Sequence, residues 1–232
     1  YSDIDENLCR EAARLLEESF TSYLVHLEKI GDIEKKKFPV YLFSGQAGYL
    51  MYLRDLTILD NIQSLGCYVP ALRQLMIWNT PDRESMLRTI RHEGFHQYMH
   101  RLSEEPPIWL NEGLAEYYEI AERVGGDWKL GKTHPDHVHT LAVRKQERIP
   151  LKEFLHCSAS DFRKKTSLYY AQSWAFIHFL RHSTRENSAL FTKLLEASRR
   201  KTSPEEIVTD FLQGVDLDLL QEEFSKHLES MS

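Results

Sequence analysis

The feature that most constrains the fold is a change of pattern at Asn79-Thr80-Pro81. Ahead of it lie short apolar runs rich in β formers: Pro39–Phe43, Gly66–Val69 and Leu75–Trp78. Runs this short, bounded by Gly, Pro and charged residues, read as strands. Behind it, apolar residues recur every three or four positions, the mark of helices with one buried face. Strands gathered first and helices gathered after point to an α+β chain rather than an alternating one.

The reading can be made element by element. Leu8, Ala12, Leu15, Leu16, Phe20, Tyr23, Leu24 and Leu27 form a helical stripe over residues 5–30, with Gly31 as its stop. "GQAGYLMYLRDL" returns to helical spacing. The spacing predicts a helix from Arg83 to Leu102 with Leu87, Ile90, Phe95 and Met99 inward, and another from about Trp109 to Arg123, ended by Gly125-Gly126. Residues 127–165 are polar and read as irregular. Helices follow at about Leu168 to Arg181, at 187–200 and at 203–228, the last broken near Gly214. The whole reads as one domain over 1–232, a sheet-containing lobe to about 103 and a helical lobe from about 104.

Bulk properties narrow the function. The chain is 42% hydrophobic over 232 residues, enough for a sizeable core. A net charge of −6 argues against a nucleic-acid partner, which calls for a basic face. No window approaches the roughly 18 consecutive apolar residues of a membrane span. No signal peptide is visible, and the first residue is Tyr1, as expected of a trimmed product; cytoplasmic and secreted or periplasmic locations both stay open. Cys9, Cys67 and Cys157 are scattered and form no CxxC pair, so they read as thiols, with one disulfide left open.

The chemistry is concentrated in "TIRHEGFHQYMH". His92-Glu93-Gly94-Phe95-His96 is an HExxH run. Residues four apart lie about 6 Å apart along one helical face, so both imidazoles can reach one ion. Glu93, next to the first ligand, can hold a water without binding the metal. His100 is excluded: eight residues from His92, it stands about 12 Å along the helix, too far to share an ion at bond lengths near 2.1 Å. The position of a metzincin third histidine is Leu102. The remaining candidate is Glu112, sixteen residues after His96 and beyond Pro106-Pro107, where it would complete a His₂Glu zinc site with an open position for water. Glu116, one helical turn later, is the candidate second carboxylate that hydrogen-bonds and orients a zinc histidine.

Together HEGFH and "WLNEGLAE", within residues 92–116, resemble the gluzincins, the thermolysin-like clan of zinc metallopeptidases, and look closer to small bacterial gluzincin-like domains. The resemblance implies a zincin-like fold with a small N-terminal sheet, an active-site helix and a mainly helical C-terminal half. It implies one catalytic Zn²⁺, a peptide or protein substrate, and hydrolysis with Glu93 as general base. It also implies a sheet edge that binds extended peptide, for which Leu75–Trp78 is the expected strand. A tyrosine that stabilises the oxyanion falls best at Tyr170, with Tyr169 next. Thermolysin uses a histidine in that role; His134, His137 and His139 could supply one but read as exposed loop residues. There is no GxMEN-type segment to capture a free amine, so an endopeptidase is expected over an aminopeptidase. Two other readings stay open: a gluzincin-fold domain that binds peptide without turnover, and a helical scaffold in which HEGFH is accidental.

Overall fold

The computed structural model describes residues 2–27, 37–56 and 64–231. The chain is α+β and mostly helical. It divides into two compact units, Tyr1–Arg101 and Leu102–Ser232. Among the described residues, no helix is long and apolar enough to cross a membrane, and the three cysteines are free thiols.

The first unit runs α1 (Glu6–His26), β1 (Val40–Phe43), α2 (Gln46–Asp55), β2 (Gly66–Val69), β3 (Gln74–Trp78) and α3 (Arg83–Leu102). The Asp5 carboxylate caps α1 by accepting from the N–H groups of Asn7 and Leu8. Gly31, the expected stop of this helix, lies outside the described residues. The sheet has the order β1-β3-β2. β1 runs parallel to β3 with Val40 opposite Leu75, and β2 runs antiparallel with Cys67 opposite Met76.

Alternation along the strands sorts the side chains into two cores. Leu75 and Ile77 face Ala12 of α1 and Met86 and Ile90 of α3, together with Leu42. Met76 faces the other way, onto Tyr49 and Leu53 of α2 and Cys67. The sheet is therefore covered on both sides. The expectation that Leu75–Trp78 offers an edge to an extended peptide is corrected here: β3 is the central strand, paired on both sides, and has no unpaired edge to offer. β1 and β2 are the outer strands.

The second unit runs α4 (Ile108–Glu119), β4 (Glu122–Val124), β5 (Asp127–Lys129), α5 (Pro135–Val143), α6 (Leu151–Phe154), α7 (Ala159–Lys164), α8 (Thr166–His182), α9 (Arg185–Arg200), α10 (Pro204–Leu212) and α11 (Leu217–Ser230). α8 is its hub and packs against α4, α5, α9 and α11. From Leu168 to Leu180 every residue except Tyr170 and His178 is buried. A helix covered on all sides is a core helix. Two expectations fail in this unit. The helix expected to reach Arg123 stops at Glu119, and Gly125-Gly126 form the turn of the β4–β5 hairpin, with φ of 63° and 98°. Residues 127–165, expected to be irregular, carry α5, α6 and α7. These helices span only 9, 4 and 6 residues, too short to show a repeating apolar stripe.

α4 and α8 meet at Gly113. A Cβ there would lie 2.6 Å from the Ser173 carbonyl oxygen and 2.8 Å from its carbon. Backbone cannot yield as a flexible side chain can, so glycine is what permits the approach. Gly113→Ala is expected to cost about 1–3 kcal/mol despite alanine's better helix propensity. A denaturant titration checks this, and an unchanged midpoint would contradict the packing.

A histidine cluster closes the other end of α8. His178 Nδ1 lies 3.1 Å from His227 Nε2, and His182 Nε2 lies 2.8 Å from the Tyr117 hydroxyl. Burial, with neighbouring His178, lowers the His182 and His227 imidazoles from 6.5 to about 4. A depressed folded-state pKa means that the unfolded chain takes up protons first as pH falls. Stability is expected to be fully present above pH 6.5 and to decline between 6.5 and about 4. Thermal melts across that window check it, and His227→Gln should flatten the slope.

Candidate metal centre

α3 carries the HExxH run, and local contacts fix its roll. Asp82 caps it, accepting from the Ser85 N–H at 3.1 Å. The Tyr23 hydroxyl of α1 donates to the Arg91 carbonyl at 3.0 Å. Tyr23 meets Phe95 edge to face with ring centroids 5.2 Å apart, and Phe20 meets Tyr98 at 5.3 Å. With Phe95, Tyr98 and Met99 fully buried, the half-buried side of the helix carries His92, Glu93 and His96.

His92 and His96 stand one turn apart with ring centroids 4.8 Å apart. That is the i, i+4 pairing a shared ion requires. Glu93, between them in sequence, accepts the Tyr68 N–H on its Oε2 at 2.7 Å. Tyr68 lies on β2, an outer strand. Its hydroxyl lies 2.6 Å from His100 Nδ1, so His100 is engaged by the sheet. The donor set of α3 suits zinc: two imidazoles from one helical face, neither fully buried, with a carboxylate beside them. A closed set needs a third protein ligand.

In the second unit, Glu112 is half-buried on α4, next to Gly113 and its contact with α8. The Trp109 indole N–H donates to the Leu155 carbonyl at 3.0 Å and anchors the start of α4. Glu116 is buried one turn after Glu112. Its Oε2 lies 2.7 Å from His137 Nε2.

The family described as "Protein of unknown function (DUF1570)" matches residues 86–203, just over half of the chain. The chain belongs to the DUF1570 family. No curated protein matches it. The DUF1570 segment begins within α3 and ends before α10. It therefore contains His92, Glu93, His96, Glu112, Glu116, Tyr169 and Tyr170, but none of the three-stranded sheet.

Within the DUF1570 segment the two tyrosines of α8 differ in setting. Tyr169 is buried, stacked on Phe162 at 5.1 Å and near-parallel to Phe154 at 6.3 Å. Burial raises its phenol pKa. It is a core residue. Tyr170 is half-buried and meets Phe162 edge-on at 5.0 Å. The histidines expected in an exposed loop are placed differently. His134 stands at the N-cap position of α5 and is buried, His137 lies in the first turn of α5, and only His139 is exposed. The partnership of Glu116 with His137 was missed in the sequence. The signals were there: Pro135 and Asp136 suit a helix's first turn, and the histidines are three apart.

Proposed function

We propose that this chain is a zinc-dependent peptidase with a gluzincin-type fold, an endopeptidase by preference. The carrying observation is the pairing of His92 and His96 on one face of α3 with Glu93 beside them. His92 and His96 are two zinc ligands, and Glu112 of α4 is the third. The sheet-and-helix unit ahead of a helical unit agrees with the zincin reading. Bound there, zinc would lower the pKa of its water to about 7 and polarise the scissile carbonyl.

The chain's own residues do the rest. Glu93 takes the proton as water oxygen bonds to the carbonyl carbon, then delivers it to the departing nitrogen as the C–N bond breaks. The products are a carboxylate and an amine. The Tyr68 N–H donates to Glu93 Oε2 and holds the carboxylate in place beside the two histidines. Tyr170 donates to the oxygen that gathers charge.

Glu93→Gln is expected to retain zinc and lose hydrolysis by about 10²–10⁴-fold. Elemental analysis with a peptide-library digest reads both. Full activity in that variant overturns the mechanism. Zinc bound by the native chain without cleavage of any library member favours a peptide-binding domain instead. Tyr170→Phe should lower kcat by about 10²–10³-fold with little change in KM, whereas Tyr169→Phe should act on stability alone.

A further inference from the structure

The start of α5 brings a second group of ligand-type side chains together, all within the second unit. His134 is the N-cap of α5, Pro135 its first residue and His137 its third. The two imidazoles stack with centroids 3.8 Å apart and planes 22° apart. Fully buried Trp174 of α8 backs both, at 6.1 and 5.8 Å. Both Nε2 atoms turn toward one oxygen, Glu116 Oε2, at 2.7 Å from His137 and 3.7 Å from His134. His134 and Glu116 are both buried.

A single hydrogen bond accounts for His137. His134 Nε2 stands further from the same oxygen, at 3.7 Å. What the three atoms share is convergence: they lie within 4.8 Å of one another. Ligands around one ion at about 2.1 Å stand at such spacings after small side-chain rotations. A divalent ion bound by all three would give the buried Glu116 carboxylate and the two imidazoles one common partner. Two nitrogens and one oxygen suit a divalent transition metal rather than calcium or magnesium, which favour all-oxygen sets.

We propose that Glu116, His134 and His137 form a second site for a divalent transition metal, zinc being the probe. It uses none of His92, His96 and Glu112, and it does not depend on the peptidase reading. Its effect is to tie the first turn of α5 to α4. Zinc content of the full chain tests it, measured by elemental analysis after gel filtration, with circular dichroism to verify folding. The native chain should hold two equivalents, and His134→Asn/His137→Gln should hold one. His92→Asn/His96→Asn should keep the equivalent that the first variant loses. If the zinc site of His92 and His96 alone fails, the native chain holds one equivalent, lost in His134→Asn/His137→Gln and kept in His92→Asn/His96→Asn. Zinc content untouched by His134→Asn/His137→Gln overturns the proposal and leaves a plain Glu116–His137 hydrogen bond. Should that variant not fold, His92→Asn/His96→Asn decides: retained zinc supports the second site, and loss of all zinc overturns it.

Discussion

At Gly113 the backbones of α4 and α8 approach to within side-chain distance. The second unit is organised around α8, which is buried almost all round, and α4 reaches the α8 backbone where one side chain is missing. The contact also sets the roll of α4. Once Gly113 faces Ser173, the directions of Glu112 and Glu116 are no longer free, since a helix fixes each residue's angle relative to the next. The glycine inside "WLNEGLAE" is therefore structural, and the chemistry of its flanking carboxylates depends on it.

The first unit solves a similar problem with a sheet. α3 is held by aromatic contacts from α1 on one side and by the apolar face of β3 on another. Its functional side chains occupy what is left. Glu93 is then fixed by a main-chain donor rather than by another side chain. Main-chain donors cannot change rotamer, so the carboxylate's position follows from the placement of the sheet.

Legibility varied with element length. The helix expected at Arg83–Leu102 is found with those limits, because twenty residues show several periods of burial. The three strands were legible from β-branched and aromatic runs, but their order was not. Leu75–Trp78 looks no different in sequence whether it is central or at an edge, since both kinds of strand can be apolar. α6 spans four residues and could show no period at all. For the site, His92, Glu93 and His96 were legible because their spacing is itself the geometry. The partners of Glu116 were not, because Glu116 and His137 are 21 residues apart and meet only through tertiary packing. Tyr169 and Tyr170 are adjacent and chemically identical; burial alone separates them.

The β1-β3-β2 order has a consequence for how the first unit assembles. β1 and β2 both pair with β3, the last of the three to appear in the chain. Until Trp78 has been made, the sheet has no centre, and the chain ahead of it can form only local helix. β2 and β3 are near neighbours and can pair early, whereas β1 must return across more than thirty residues, a slower closure. α3 follows directly, so its HExxH face finds a platform as soon as that closure is complete.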